Sequence, residues 1–280
     1  MRRILLCLAG CAVFSGPAVA GGYDDFNHGL TAYHFERYDE AIGFFTSALA
    51  STELIPDLRS VALLDRGLVY QEKKQFDLAK ADLGAAEKAS PNDVAVLEAH
   101  AVLYRDLGQY DVAMADAAHA IQEAPARPLL YFLRCQIDFE AAQYQVAASD
   151  CGSYLHLAPT DGYGVLWMAM SLARGKQDLS PAFASLDRIN TSYWPGPLID
   201  LYRSDGTPES VKVEWAKDRY GDEGDAQKGR ICETDFYGGE WHLVRGETAA
   251  AKAMLAAVPG ECPKDYIEID GAKAELARLK

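Results

Sequence analysis

Apolar residues of fixed size recur along the chain with a period of 34 residues. The recurring positions are 8, 11, 17, 20, 27 and 32, and in residues 60–93 they are Gly67, Tyr70, Phe76, Ala79, Ala86 and Pro91. Small residues at positions 8, 20 and 27 let two helices touch, and large residues fill the space between successive helix pairs. A fixed period of this length predicts a stack of two-helix hairpins with a turn near position 16.

Six segments follow the period. Four are nearly regular and occupy residues 22–55, 60–93, 94–127 and 128–161; the fifth starts at residue 162 and loses the pattern, and the sixth occupies 232–265. Between the fifth and the sixth segment we predict two helices, one starting at Ser180 and one over about 208–219. A polar loop is predicted to follow over 220–229. The pattern over residues 269–279 predicts an amphipathic helix that caps the end of the stack.

The pattern resembles the tetratricopeptide repeat (TPR). The resemblance implies an all-α, right-handed solenoid with an irregular helical insertion and a C-terminal capping helix. The predicted organisation is a signal peptide (1–20), TPR repeats 1–4 (21–161), a degenerate repeat 5 with an irregular helical segment (162–231), and TPR repeat 6 with the capping helix (232–280).

In such a stack the first helix of each repeat lines a concave groove, and here that lining is mainly apolar. The predicted partner-binding residues are Phe26, Leu30, Tyr33, Leu64, Leu68, Val102, Phe132, Phe139, Leu166 and Met170. The polar interruptions are Gln71, Glu98, Arg105 and Gln136. An apolar groove suits an amphipathic helix or an extended apolar peptide. An alternative stays open, in which the chain's own helices from 176–220 fill the groove.

The first residues have the anatomy of a signal peptide. Arg2 and Arg3 precede an apolar run over 4–14, and small residues at 18–20 offer a cleavage site. We therefore expect a periplasmic protein without a membrane span. A second interpretation is cleavage and acylation at Cys11, which would anchor the protein to the outer membrane.

The formal net charge of −14 argues against nucleic acid and anionic lipid surfaces as partners. A solvated helical surface accounts for this charge, and a basic protein partner would also fit it.

Four cysteines lie beyond the leader, and the repeat register pairs them. Residues of one hairpin face each other when their positions sum to about 32. Cys135 and Cys151 occupy positions 8 and 24, and Cys232 and Cys262 occupy positions 1 and 31. We predict the disulfides Cys135–Cys151 and Cys232–Cys262. The alternative is that Cys135 and Cys151 are small buried packing residues.

No motif for catalysis, metal binding or a cofactor is present in the sequence. His100 occupies a packing position and is predicted to be a core residue rather than a ligand. We expect a non-catalytic protein with no cofactor.

Three stretches resemble the NlpI type of bacterial envelope lipoprotein: Leu64–Tyr70, Ala158–Asp161 with the following Leu166 and Trp167, and Glu233–Tyr237. The resemblance implies a non-catalytic adaptor that dimerises, sits at the outer membrane through a lipid, and docks a processing protease and cell-wall hydrolases. The sequence thus predicts a periplasmic adaptor that binds another envelope protein. The alternatives are an assembly factor of an envelope or secretion complex, and an enzyme with its site in 176–231.

Overall fold

The computed structural model describes residues 21–203, 206–215, 224–264 and 266–280. Within these ranges it contains fourteen α-helices and two short 3-10 helices, which confirms the all-α prediction. The predicted leader and Cys11 lie outside the described residues. In the described part of the chain no helix is long and apolar enough to span a bilayer.

The described residues divide into two compact units, 21–125 and 126–280. The first contains three hairpins: α1 (Gly22–His34) with α2 (Tyr38–Ala50), α3 (Pro56–Glu72) with α4 (Phe76–Ala89), and α5 (Val94–Asp106) with α6 (Tyr110–Glu123). The second contains α7 (Pro128–Glu140), α8 (Tyr144–Leu157), α9 (Gly162–Arg174), α10 (Gly196–Arg203), α11 (Pro208–Trp215), α12 (Asp225–Val244), α13 (Thr248–Glu261) and α14 (Glu268–Arg278).

The turn between the two helices of a repeat has the same backbone conformation in all six repeats. Position 15 has a positive φ of 54–76° each time, at Glu36, Lys74, Gly108, Ala142, Lys176 and Gly246. A left-handed residue ends a helix because its conformation cannot continue the right-handed one. This recurrence confirms the predicted register, including that of the degenerate fifth repeat.

Small residues at the predicted helix contacts have no room for a larger side chain. A Cβ atom on Gly29 would lie 2.6 Å from the ring of Phe45, and one on Gly67 would lie 2.9 Å from the side chain of Leu83. Ala79 at position 20 of the second repeat is fully buried. The hairpins of residues 21–125 are therefore packed through the contacts that the sequence period indicates.

The irregular segment differs from its prediction in two places. Ser180 starts a 3-10 helix, Ser180–Phe183, followed by a second one, Leu186–Arg188, instead of an α-helix. The predicted helix over 208–219 is present as α11 up to Trp215, and its last four residues lie outside the described residues. α12 begins at Asp225, inside the predicted loop, because Gly229 is a packing residue: its added Cβ would lie 2.3 Å from the hydroxyl of Tyr266. A glycine that indicates a loop in sequence here permits a close helix contact.

The unit 126–280 is built around Trp167 of α9, which is fully buried. Its ring lies 5.5–6.4 Å from four aromatic rings of α7 and α12, those of Phe132, Phe139, Phe236 and Tyr237. This cluster draws α7 and α8 together with helices that come much later in the chain. The boundary of the unit falls after Pro125, within residues 21–161, which the sequence pattern predicts to be one run of four repeats.

Candidate functional site

In residues 21–125 the first helices of the three hairpins form one layer, in which α1 contacts α3 and α3 contacts α5. Four predicted partner-binding residues are partly exposed on this layer: Leu30, Tyr33, Leu68 and Val102. We call these four residues the A-helix face. Phe26 and Leu64 are buried, with 4% and 8% of their surface exposed, and support this face from below.

The polar side chains near the A-helix face are buried, and one hydrogen bond between them joins two of its helices. The amide of Gln71 donates a 2.7 Å hydrogen bond to Asp106, which joins α3 to α5. Arg105 lies 3.5 Å from the same carboxylate and is 4% exposed, and Glu98 is 8% exposed. These groups are buried rather than displayed, so the accessible part of the A-helix face is its apolar side chains.

In residues 126–280 the structure places the other predicted partner-binding residues in the core. Phe132, Phe139, Leu166 and Met170 have at most 4% of their surface exposed, so they do not line an open groove. The physical reason is that α10 and α12 cover them: Leu198 and Ile199 of α10, with Phe236 and Tyr237 of α12, belong to the same buried cluster. The alternative of an internally filled groove therefore holds for this unit, although α12 lies beyond the predicted filling segment 176–220.

The cysteines pair as the repeat register predicts. Cys135 and Cys151 are at disulfide distance, with Cα atoms 5.4 Å apart, and connect α7 to α8. Cys232 and Cys262, with Cα atoms 4.8 Å apart, connect α12 to the residue after α13. Each disulfide links the two helical segments of one hairpin, and both disulfides lie in residues 126–280.

A buried carboxyl pair lies between α7 and α8. Arg134 donates two 2.6 Å hydrogen bonds to Asp150. Asp138, one turn further along α7, is 2% exposed and shares a hydrogen bond with the same Asp150 carboxylate. Burial, together with the adjacent Asp150, raises the pKa of Asp138 to about 7. The proton on Asp138 thus stabilises the folded hairpin at mildly acidic pH.

Because of this pair, we expect the free energy of unfolding to depend on pH, and we expect Asp138→Asn to remove that dependence. A raised folded-state pKa contributes stability that is present below the unfolded-state value, near 4, and is lost as the pH rises through about 7. The variant should therefore match the wild type near pH 4 and be more stable at pH 8 by about 1–2 kcal/mol, after allowance for solvent screening. Urea unfolding at both pH values measures this difference. An equal difference at both would show that Asp138 does not titrate in this range.

The described part of 176–231 brings Glu209 to a histidine outside that segment. Nε2 of His242 lies 3.1 Å from Glu209, and its Nδ1 lies 2.5 Å from Glu247. Both ring nitrogens thus face carboxylates rather than a hydroxyl or thiol that the imidazole could activate. The two contacts of the imidazole join α11 to α12 and to the turn that follows α12.

Residues 61–93, the second hairpin, match the family model of the tetratricopeptide repeat. The fold as a whole is similar to the crystal structure of a tetratricopeptide repeat protein from Parabacteroides merdae, with a TM-score of 0.60 and 16% identity over 91% of this chain and 98% of that one. The chain has the tetratricopeptide-repeat fold. At these identities the similarity concerns the fold and not the activity.

Two further solved structures share this TPR fold. Pseudomonas aeruginosa pilF is 15% identical, with a TM-score of 0.54 over 91% of this chain and 97% of that one. The C-terminal part of a TPR repeat-containing protein from Cytophaga hutchinsonii is 18% identical, with a TM-score of 0.52 over 89% and 87%. No curated protein sequence matches the chain. The likeness to NlpI-type lipoproteins stays a prediction from sequence.

Proposed function

We propose that this TPR protein is a non-catalytic periplasmic adaptor that holds a protein partner on the A-helix face. The observation that supports the proposal most is the partial exposure of four apolar side chains on neighbouring helices of residues 21–125. The equivalent residues of 126–280 are covered by the chain itself. A contiguous group of apolar side chains on a protein surface is typical of a docking site.

The chemistry of this face favours an amphipathic helix or an extended apolar peptide as the bound segment. Leu30, Leu68 and Val102 offer contact to an apolar stripe, while their helices hold their polar groups in contacts of their own. The net charge of −14 favours a partner whose outer side is basic, because long-range attraction accelerates association. Within the bacterial envelope, a processing protease or a cell-wall hydrolase is the partner class that we propose.

The double variant Leu68→Ser/Val102→Ser tests the assignment of the face. Partners are first captured from an envelope extract by the wild-type protein, identified, purified and titrated against it. We expect the variant to bind the identified partner at least about 30-fold more weakly, which is about 2 kcal/mol and the scale of an interface hot spot. Because both side chains are partly exposed, the helical circular dichroism of the variant should equal that of the wild type.

The matched control is Leu78→Ser/Val112→Ser. It makes the same two replacements at exposed positions on α4 and α6, the second helices of the same hairpins, where the side chains are 48% and 41% exposed. The control should bind with wild-type affinity. Equal weakening by both variants would contradict the A-helix face as the docking surface, and unchanged binding by both would place the partner elsewhere.

Export and anchoring are tested separately from binding. The mass of the protein isolated from a bacterial envelope distinguishes cleavage after Ala20 from acylation at Cys11. Recovery with the cytoplasmic fraction at full-length mass would contradict the periplasmic part of the proposal. Sedimentation of the purified chain tests the predicted homodimer.

A further inference from the structure

Three potential metal ligands converge between α4, α5 and α6. Glu87 comes from α4, His100 from α5 and Asp116 from α6. One ligand atom from each lies within 4.8 Å of the other two. Among the described residues, this is the one group of three such side chains whose ligand atoms come this close together. The residues belong to different helices and to two successive repeats, so their convergence is not visible in the sequence spacing.

His100 is buried without the hydrogen bonds that a buried imidazole normally makes. Its side chain is 7% exposed. Nδ1 lies 3.7 Å from Glu87 Oε2 and 3.7 Å from Asp116 Oδ2, which is too far for a hydrogen bond to either. Nε2 has no hydrogen-bond partner either.

The Asp116 oxygen that faces His100 is in the same situation. Asp116 Oδ2 is buried and accepts no hydrogen bond. Buried polar atoms are paired in the great majority of cases, and an exception calls for an explanation such as a bound ion. Here Nδ1 of His100 lies 3.7 Å from the unsatisfied Oδ2 of Asp116 and 3.7 Å from Oε2 of Glu87.

We propose that Glu87, His100 and Asp116 form a binding site for a divalent first-row transition metal ion of the Zn²⁺ type. One imidazole nitrogen and two carboxylate oxygens are ligands that Zn²⁺ accepts, whereas Ca²⁺ and Mg²⁺ prefer oxygen atoms throughout. Metal–ligand bonds of about 2.0–2.1 Å place tetrahedral ligands about 3.3 Å apart. The two separations of 3.7 Å from Nδ1 of His100 exceed this value by only a few tenths of an ångström, and the two carboxylate oxygens lie within 4.8 Å of each other.

The partly exposed Glu87 supplies both the adjustment and the route of entry. Its side chain is 42% exposed, against 17% for Asp116, so its carboxylate can swing toward an entering ion from solvent. Three protein ligands leave a fourth tetrahedral position for water. A bound ion would tie the second helix of one repeat to both helices of the next, and so strengthen the junction between these two repeats.

Titration of the mature chain, without an affinity tag and after treatment with a chelator, tests the site. We expect saturable binding of one Zn²⁺ per chain at neutral pH by calorimetry. Co²⁺ should bind at the same stoichiometry and give the visible absorption of a four-coordinate ion. His100→Gln should reduce Zn²⁺ affinity by more than the 10–100-fold that loss of an outer-shell partner causes.

The matched control is His119→Gln. Nε2 of His119 lies 3.7 Å from Glu123, the same separation as in the proposed site, but this is an exposed pair without a third ligand. The control should bind Zn²⁺ like the wild type. Loss of binding in both variants would assign the ion to nonspecific surface histidines and overturn the proposal.

If His100→Gln disturbs folding because His100 is buried, the variant Glu87→Gln still tests the site. Glu87 is at the exposed edge, so this variant should fold normally and still bind Zn²⁺ at least about tenfold more weakly. Absence of saturable wild-type binding below about 100 μM Zn²⁺, or full affinity in both Glu87→Gln and His100→Gln, would overturn the proposal. In those cases His100 and the two carboxylates form only a structural cluster.

Discussion

Phe139→Ala is expected to destabilise residues 126–280 by about 3–5 kcal/mol, the range measured for removal of a buried aromatic ring. Phe139 is fully buried, and its ring centroid lies 5.2 Å from that of Tyr144 and 5.5 Å from that of Trp167. The truncation removes these edge-on contacts and leaves a cavity that the surrounding helices close only in part. Urea unfolding followed by circular dichroism and by tryptophan fluorescence measures the loss.

Val102→Ala serves as the comparison, because it shortens a side chain that was also predicted to bind the partner but is partly exposed. This variant should lower the free energy of unfolding by about 1 kcal/mol or less. A similarly small cost for Phe139→Ala would mean that α12 does not cover this position in solution. The sequence-based assignment of Phe139 to a binding groove would then be restored.

Removing the Cys232–Cys262 disulfide should destabilise the same unit by about 4 kcal/mol, and removing Cys135–Cys151 by about 3 kcal/mol. The bridges join residues 30 and 16 positions apart, and a longer closed loop restricts the unfolded chain more in the chain-entropy account. Paired Cys→Ala variants avoid leaving one reactive thiol. Hydrogen exchange of the intact chain measures where protection is lost.

Residues 21–125 are the internal control for this experiment, because they contain no cysteine. Their amide protection should be the same in the oxidised wild type and in both paired variants. Unchanged protection of 126–280 in the variants would contradict a stabilising role for the bridges. Recovery of four free thiols from the exported protein would contradict the pairing itself.

The repeat register could be predicted from sequence because it depends on local packing. Position 8 must be small where a side chain of the second helix covers it, as Phe45 covers Gly29. The turn must reverse the chain at a fixed distance from that contact, and Lys74 and Ala142 adopt the same left-handed conformation there. The cysteine pairing follows from the same register, since it needs only the position of each residue within its own hairpin.

Whether the predicted groove is open or covered could not be predicted from the same pattern. Met170 and Val102 both occupy position 9 of their repeats, yet Met170 is buried and Val102 is partly exposed. The difference is made by α12, whose Phe236 belongs to the same buried cluster as Met170 and comes much later in the sequence. Nothing local to either residue carries that information. The cluster around His100 was missed for a related reason, since its three side chains share no motif and meet only through tertiary packing.

Helix α14 is synthesised after every other helix of its unit and yet holds the earliest ones. Arg278 donates a hydrogen bond to the main-chain oxygen of Glu140 in α7, and Glu275 lies 3.2 Å from Arg174 in α9. Arg174 pairs with the buried Glu240 of α12 and with the buried Glu275 of α14, so its full set of partners is complete only after the last helix has been synthesised. Until then the unit is open to proteases and to wrong cysteine pairing. The three hairpins before Pro125 need no such late helix, because the contacts within and between them join helices that are neighbours in sequence or one helix apart.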